Sequence, residues 1–314
     1  MTLTMTPKKN ILLCFDAFGT LFRPRQSIIK QYGDVARSYG VSGFDDDELA
    51  ASFKNAFKTE SKDHPNYGRA TNMGSQQWWT NVIERTFLPV TTKHSQRLPP
   101  AVASALLHRF NSKEGYEMFP DAIDYIKALT RPEWQHILRR NDVRSDDMSE
   151  RRLVVGLITN SDDRVPDVLS SFGLTVKPLR HGTKIETYHP STITADIDFA
   201  IMSYDVGHEK PDRRIFDAAS STVRDMLVAE GEKQPDLSDW CLIYVGDELE
   251  KDAFAAADAG WRAILLDRDG LFEAEASEAN SAPHAGDESF QLSDATRSVT
   301  VVRSFAGLWN LTHH

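Results

Sequence analysis

The sequence predicts an α/β protein: a doubly wound parallel sheet with an all-helical segment inserted after the first strand. The first observation is a series of short, continuous apolar runs, which are typical of parallel strands buried on both faces. The second is that helix-like segments separate several of these runs, as expected where parallel strands alternate with helices. The third is a block of consecutive helical patterns between residues 27 and 111, which predicts the insertion.

Apolar runs predict the strands of the sheet. They lie at residues 11–15, 153–158, 199–204, 240–245, 263–266 and 299–302. Helix-like segments occupy residues 213–222 and 251–259 between later runs. Because ligands of doubly wound sheets bind beyond the carboxyl ends of the strands, polar residues that directly follow these runs are the first candidates for a functional site.

In the inserted block, apolar residues recur at helical spacing. Leu49, Phe53, Ala56 and Phe57 follow one another at i, i+4, i+7 and i+8, which is one face of a helix. Further rows are made of Trp78 with Val82, and of Trp79 with Ile83 and Phe87. We expect these rows to form the core of the helical block and not a cofactor site.

Composition narrows the classes of function. The 314 residues include 36 basic and 46 acidic ones, and the net charge of −10 disfavours binding to nucleic acid or to an anionic membrane. The first residues lack the apolar core of a signal peptide, and no segment approaches the roughly 20 apolar residues of a membrane span. Cys14 and Cys241 alone predict neither a disulfide framework nor a cysteine metal site. We expect a cytoplasmic protein, with a nuclear location also open.

Polar segments interrupt the predicted sheet at three places. They lie at residues 139–152, 175–196 and 267–293, and the last is acidic and rich in Ser, Ala and Gly. We expect all three to be polar insertions or mobile loops.

Two polar residues stand at the ends of the first two apolar runs. Asp16 follows residues 11–15, and a carboxylate there could attack an electrophile and form a covalent intermediate. Alternatively, Asp followed by Gly-Thr is ordinary turn chemistry. Thr159 ends the next run, where its hydroxyl could hold an oxygen of a bound oxyanion, with Asn160 beside it as a substrate-binding candidate. Ser161 or Asp162 would more simply cap a helix.

A lysine and two further carboxylates complete the candidate site. Lys210, just before Pro211, could neutralise Asp16 and an incoming anion, although loop lysines are usually solvated. Asp247 follows the run 240–245, and Asp252 comes about one helical turn later. Alternatively, Asp247 could be a helix cap and Asp252 part of a solvated acidic face. Gathering both with Asp16 would be costly without a cation, because neighbouring like charges resist ionisation. Mg²⁺, a hard cation that prefers oxygen ligands, is the expected cofactor.

These four elements, in order from Asp16 to Asp252, resemble motifs I to IV of the haloacid dehalogenase superfamily. The resemblance implies a Rossmann-like core of residues 1–22 and 118–314 and a helical C1-type cap of residues 23–117. Within the cap, residues 64–68 and the segment 77–87 resemble the haloacid dehalogenase-like hydrolase domain-containing protein 3 group.

The resemblance also implies roles for the candidate residues. Asp16 would be the nucleophile, Thr159 the group that holds the oxyanion, and Lys210 the charge-neutralising residue. The implied Mg²⁺ ligands are Asp16, Asp247 and the backbone carbonyl of Phe18, with Asp252 acting through water or a hydrogen bond. The substrate would be a small phosphorylated, anionic metabolite. Arg69, in a loop between two predicted cap helices, could contact its anionic group, although a surface arginine in a Gly-containing loop is more often solvated.

Phe18 departs from the family pattern. Family phosphatases carry a second Asp two positions after the nucleophile, which protonates the leaving oxygen and later activates water. Phe18 can do neither, and general acid–base catalysis is typically worth about 10²–10⁴-fold, so we expect a slow or selective phosphatase.

Two alternatives stay open. In a metal-independent 2-haloacid dehalogenase, Phe18 would be harmless because halide leaves without a proton, and Arg23 or Arg25 would be candidates to bind the halide. A catalytically impaired protein of the same fold could instead bind a ligand or a partner without turning it over.

Overall fold

A computed structural model describes residues 10–131, 152–184, 195–272, 289–293 and 296–313. The chain divides into two compact units. The sheet unit comprises Met1–Leu21, Phe119–Asn160 and Leu174–His314, and the helical unit comprises Phe22–Met118 and Ser161–Gly173. Residues 161–173, which the sequence analysis placed in the core, therefore group with the helical block.

The sheet unit contains a seven-stranded sheet that confirms the predicted fold class. Its strands are β1 (Asn10–Phe15), β4 (Leu153–Thr159), β5 (Phe199–Met202), β6 (Trp240–Gly246), β7 (Arg262–Leu266), β8 (Ser289–Ser293) and β9 (Ser298–Val302). They are ordered β5-β4-β1-β6-β7-β9-β8, and all neighbouring pairs are parallel except β8 with β9. The order reverses at β1, so the switch point, where such sheets bind ligands, lies at the end of this strand.

Helices cover both faces of the sheet. They are α5 (Pro120–Leu129), α7 (Ser203–Val206), α8 (Arg214–Ala229), α9 (Ala255–Asp258) and α10 (Phe305–His313), with a π-helix at Leu249–Phe254. Leu12 and Cys14 of β1 belong to the same buried cluster as Phe216 of α8. Phe15, on the opposite face, contacts Tyr125 of α5 at a ring distance of 6.2 Å. Burial of both faces explains why the strands read as continuous apolar runs.

Strand β8 corrects one prediction. Residues 267–293 were predicted to be a polar insertion, but residues 289–293 form the antiparallel edge strand. Phe290 and Leu292 are buried whereas Gln291 between them is exposed, so only alternate residues are apolar and the strand lacks a continuous run. The described parts of the other two segments are residues 152, 175–184 and 195–196, and they lie outside the named strands and helices. Residues 139–151 and 185–194 lie outside the described residues.

The helical unit is built from consecutive helices, as predicted for the inserted block. They are α1 (Ile28–Ser38), α2 (Asp46–Asp63), α3 (Ser75–Lys93), α4 (Pro100–Phe110) and α6 (Val165–Ser171), with a short 3₁₀ helix at Arg69–Thr71 and a two-stranded sheet of β2 (Phe22–Pro24) and β3 (Tyr116–Met118). Ala56, Trp78 and Val82 form a buried cluster against which Phe53 and Trp79 pack, so these residues are core, as predicted. Phe57, which was predicted on the same face as Ala56, is instead exposed. Among the described helices, none combines the length and the apolar character that crossing a membrane requires.

Candidate active site

Three neighbouring strands end at the same edge of the sheet. Asp16 follows β1, Thr159 is the last residue of β4, and Asp247 follows β6. In the register of the sheet, Phe15 pairs with Leu157 on one side and with Val245 on the other. The parallel pairing therefore brings these polar residues to the carboxyl edge beside the switch point.

Three carboxylates converge at this edge. One carboxylate oxygen from each of Asp16, Asp247 and Asp252 lies within 4.8 Å of the others. Asp16 is 6% exposed and Asp252 is 1% exposed, whereas Asp247 is half-buried. Three acidic groups in so little water need a compensating cation.

Lys210 supplies part of that compensation. Its Nζ donates to Asp16 Oδ1 at 2.7 Å, to Asp252 Oδ1 at 2.5 Å and to the Tyr244 hydroxyl at 2.8 Å. Because an ammonium has three protons, these contacts use all of them. One buried ammonium therefore pairs with two of the three carboxylates, so the cluster has an excess of negative charge when all three are ionised.

Tyr244 is a site residue that the sequence analysis missed. Its hydroxyl lies 2.8 Å from the Ile158 carbonyl oxygen and 3.1 Å from Asp252 Oδ1, in addition to its contact with Lys210. Because the hydroxyl has one proton, it accepts from Lys210 and donates either to the Ile158 carbonyl or to Asp252. The only signal in the sequence was a Tyr inside a buried strand, where its hydroxyl needs a polar partner.

Burial dominates the electrostatics of the site. Burial raises the pKa of Asp16 to about 7, with Lys210 opposing that shift and Asp252 adding to it. Burial also raises the pKa of Asp247, although a hydrogen bond from Thr20 opposes the shift. The pKa of Lys210 lies above its ordinary value, because the attraction of Asp16 and Asp252 outweighs the effect of burial. The arrangement favours a charged lysine and, without a further cation, resists full ionisation of the carboxylates.

The turn after Asp16 contacts the Asp247 carboxylate. Thr20 Oγ1 donates to Asp247 Oδ1 at 2.8 Å. Gly19 has φ +81°, and a Cβ atom added there would lie 2.1 Å from Asp247 Oδ2. Gly-Thr had been considered only as turn chemistry, so the sequence analysis missed the role of both residues in shaping the site.

We expect Gly19→Ala to destabilise the protein and to displace the Asp247 carboxylate. Gly40→Ala is the matched control, because Gly40 has φ +84° and nothing lies within 4 Å of an added Cβ. The left-handed conformation alone should cost the control about 1–2 kcal/mol, and the overlap should cost Gly19→Ala about 1–3 kcal/mol more. Urea denaturation measures both, and equal losses would contradict the proposed contact.

The structure brings several predicted site residues together. Asp16, Lys210, Asp247 and Asp252 form the cluster, and Thr159 lies buried at the end of the neighbouring strand. The Phe18 carbonyl stays a predicted ligand.

Asn160 and Arg69 were the predicted substrate contacts. The Asn160 side chain donates to the Lys210 carbonyl at 2.9 Å and accepts from the Lys210 amide at 2.6 Å, so it anchors the main chain of Lys210. This gives Asn160 a positioning contact, and its role as a substrate contact stays a prediction. Arg69 begins the 3₁₀ helix of the helical unit, and its role stays a prediction.

The oxygen atoms of the cluster fit a divalent cation. Asp252 has both oxygens engaged, Oδ1 by Lys210 and Tyr244 and Oδ2 by the Glu248 amide at 2.9 Å. In the described part of the chain, no other residue donates a hydrogen bond to Oδ2 of Asp16 or of Asp247. Those two oxygens are therefore available for a hard cation, with Asp252 in a supporting position.

Comparison with known proteins identifies the family. A family model described as haloacid dehalogenase-like hydrolase matches residues 12–260. The chain belongs to this hydrolase family. It is 32% identical over 268 residues to a putative uncharacterized hydrolase of Schizosaccharomyces pombe, across 84% of this chain and 95% of that protein. The family resemblance inferred from the four motifs is thereby confirmed.

Two further matches place this haloacid dehalogenase-like hydrolase among its relatives. Haloacid dehalogenase-like hydrolase domain-containing protein 3 of Bos taurus is 24% identical over 255 residues, covering 81% of each chain. A 2-haloacid dehalogenase from Pseudomonas syringae pv. Tomato has a similar fold, with a TM-score of 0.51, 17% identity, and coverage of 96% of this chain and 97% of that one. The second match shows the fold alone.

Proposed function

We propose that this hydrolase is a Mg²⁺-dependent phosphatase that acts on a small phosphorylated metabolite through an aspartyl-phosphate at Asp16. The proposal rests mainly on the convergence of Asp16, Asp247 and Asp252 at the sheet edge, where Lys210 is, among the described residues, the one cation hydrogen-bonded to the cluster. A metal-independent dehalogenase would have little use for two further carboxylates beside its nucleophile. A divalent cation would balance the excess charge and draw an anionic phosphoryl group toward Asp16.

The chain's own residues account for the two halves of the reaction. The Asp16 carboxylate attacks phosphorus, so that a new O–P bond forms as the bond to the leaving oxygen breaks. Water then cleaves the aspartyl-phosphate, which releases phosphate and restores the carboxylate. Thr159 would donate to a phosphoryl oxygen. Lys210 would stabilise the negative charge through its own charge, because all three of its protons are already engaged.

Phe18 sets the expected rate. The leaving oxygen must gain a proton, and the Phe18 side chain carries none to give. Substrates whose leaving group is acidic, such as p-nitrophenyl phosphate, should therefore react faster than alkyl phosphates, which need an acid. A slow, leaving-group-dependent phosphatase is the expected behaviour.

Phosphate release tests the proposal directly. Purified protein freed of metal with EDTA is assayed with p-nitrophenyl phosphate and a panel of phosphomonoesters, with and without MgCl₂. Asp16→Asn serves as the control, because it keeps the shape of the side chain and removes the nucleophile. We expect release that requires Mg²⁺ and Asp16. Release no greater than that of the control, across the whole panel, would refute the phosphatase proposal.

A second prediction concerns the missing acid. Phe18→Asp should raise kcat for alkyl phosphomonoesters by about 10²–10⁴-fold, because it restores a group that can protonate the leaving oxygen. Phe18→Asn is the matched control, since it has the same size but cannot titrate. The gain should be much smaller with p-nitrophenyl phosphate. A gain of equal size in both variants would mean that side-chain volume, and not acid catalysis, limits the reaction.

Phe18 also favours a second candidate, a metal-independent 2-haloacid dehalogenase. Halide leaves without a proton, so an aromatic residue at this position costs nothing. The two candidate halide-binding residues are already engaged within the helical unit. Arg23 Nε donates to Glu117 Oε1 at 2.7 Å, and Arg25 Nε donates to the Lys113 carbonyl at 2.8 Å. Chloride release from 2-chloropropionate in the presence of EDTA would decide for the dehalogenase, whereas Mg²⁺ binding without turnover would indicate a ligand-binding protein.

A further inference from the structure

Arg268 lies outside the four motifs, two residues after the end of β7, and contacts the turn that follows Asp16. Its Nη2 donates to the Thr20 carbonyl at 3.4 Å, and its Nη1 donates to Asp121 Oδ2 at 3.0 Å. The guanidinium lies 4.0 Å from the centre of the Phe119 ring. One planar cation thus joins three separate points of the sheet unit.

These contacts lie where the chain leaves the sheet unit and returns to it. Leu21 is the last residue before the segment Phe22–Met118, and Phe119 is the first residue after it. The Phe119 amide donates to the Leu21 carbonyl at 3.0 Å, so the residues at which the chain leaves and re-enters the sheet unit are hydrogen-bonded to each other. Arg268 contacts Thr20, just before the chain leaves the sheet unit, and Phe119, where the chain re-enters it.

Asp121 gives the guanidinium a fixed partner. Its Oδ2 accepts from Arg268 and also from the Phe305 amide, at 3.1 Å, so the carboxylate is tied to the start of α10. The Arg268 guanidinium lies 5.5 Å from the centre of the Phe305 ring as well. A planar cation held by a carboxylate and by aromatic faces has little freedom, and a lysine could not reproduce that geometry.

Thr20 connects this arrangement to the carboxylate cluster. Its carbonyl accepts from Arg268, whereas its hydroxyl donates to Asp247 Oδ1 at 2.8 Å. We propose that Arg268 is a positioning residue that fixes the main chain at Thr20, so that the Thr20 hydroxyl holds the Asp247 carboxylate in place. The consequence for Mg²⁺ rests on the proposed function, whereas the effect on the main chain does not.

Hydrogen exchange tests the effect on the main chain. Arg268→Ala should speed amide exchange about tenfold in peptides that cover residues 17–22 and 119–122, because a released contact allows local opening. Arg297→Ala is the matched control, since Arg297 Nε lies 3.1 Å from Asp258 Oδ1 and its guanidinium lies 4.5 Å from the centre of the Phe254 ring, and neither partner belongs to these peptides. Unchanged exchange, or the same change in the control, would overturn the proposal.

Arg268→Lys distinguishes the combined contacts of the planar Arg268 guanidinium from a simple ion pair with Asp121. A lysine can still pair with Asp121 but cannot also reach the Thr20 carbonyl and lie flat on Phe119. We therefore expect the exchange in Arg268→Lys to resemble that in Arg268→Ala. Exchange at the wild-type rate would mean that the charge of Arg268, and not its contact with Thr20, is what matters, and would overturn the proposed role.

Titration with Mg²⁺ tests the consequence for the site. Calorimetry should show Mg²⁺ binding weakened about tenfold in Arg268→Ala and unchanged in Arg297→Ala. Failure of the wild-type protein to bind Mg²⁺ would count against the proposed function, and the exchange experiment would still decide the role of Arg268. Faster exchange at Thr20 combined with unchanged Mg²⁺ affinity would show that Arg268 holds the turn without positioning Asp247, which would also overturn the proposal.

Discussion

Lys210→Met is expected to lower the free energy of unfolding by about 3–5 kcal/mol at pH 8, because it leaves buried carboxylates without their cation. Lys210 is 3% exposed and donates to both Asp16 and Asp252. Methionine fills a similar volume, so the loss reports the charge and its hydrogen bonds. Urea denaturation of the metal-free protein measures it, and a loss below about 1 kcal/mol would contradict the buried cluster.

The pH dependence of this loss carries a definite sign. Without Lys210, the folded variant should retain protons on its carboxylates at a pH where the unfolded chain, with Asp near its ordinary pKa of about 3.9, has released them. The folded state then binds more protons than the unfolded state, so the stability of the variant falls as the pH rises from about 4 to 8. Lys177→Met is the control: Lys177 Nζ lies 2.7 Å from Asp198 Oδ1 in a more exposed pair. It should cost little and change little with pH.

Asp16→Asn should reduce phosphate release by about 10³-fold or more, because no other group can take the place of the attacking carboxylate. The same substitution should stabilise the metal-free protein. Burial raises the pKa of Asp16 to about 7, so the fold favours the neutral form that Asn imitates. At pH 8 we expect a gain on the order of 1 kcal/mol in the free energy of unfolding.

The gain should disappear in acid. Between about pH 4 and pH 7 the folded state holds a proton on Asp16 that the unfolded chain has released, so ionisation of Asp16 in the unfolded chain lowers the free energy of unfolding of the wild type progressively over that range. Below about pH 4 both states are protonated, and the variant and the wild type should converge. A variant less stable than the wild type at pH 8 would contradict the burial argument.

Asp198→Asn provides the control for both effects. Asp198 directly precedes β5, so it lies at the amino end of that strand, whereas the candidate site lies at the carboxyl ends. Its Oδ2 accepts from the Val155 amide at 3.0 Å and its Oδ1 accepts from Lys177. This substitution should weaken the fold and leave phosphate release unchanged. Activity lost and stability gained together would then be a property of Asp16 alone.

Local sequence patterns determined much of the fold. A strand buried on both faces must be apolar throughout, so β1, β4 and β6 could be located from continuous apolar runs in the sequence. The polar residues at their ends followed from the rule that parallel strands share a carboxyl edge. The edge strand β8 was missed because it is buried on one face only, and its alternating pattern lies beside a polar segment.

The contacts within the site depended on tertiary structure. Thr20 and Asp247 are 227 positions apart, and no periodicity reports that a threonine in a turn donates to a carboxylate so distant along the chain. The contacts of Tyr244 and Arg268 could not be predicted for the same reason, because their partners are also distant along the chain. The Tyr244 hydroxyl contacts Lys210, and Arg268, which follows β7, contacts Thr20.

The sequence by itself determined that Asp16, Thr159, Lys210 and Asp247 stand beside strand ends or in loops, because burial dictates where apolar runs must stop. Only the tertiary structure decided how these groups share protons and charge. A hydrogen bond requires its donor and acceptor atoms to lie about 2.7–3.2 Å apart, and the fold alone brings residues so distant in sequence to that separation. Asp16 is thus a carboxylate whose position the sequence predicted, whereas its raised pKa and its bond to Lys210 are consequences of packing.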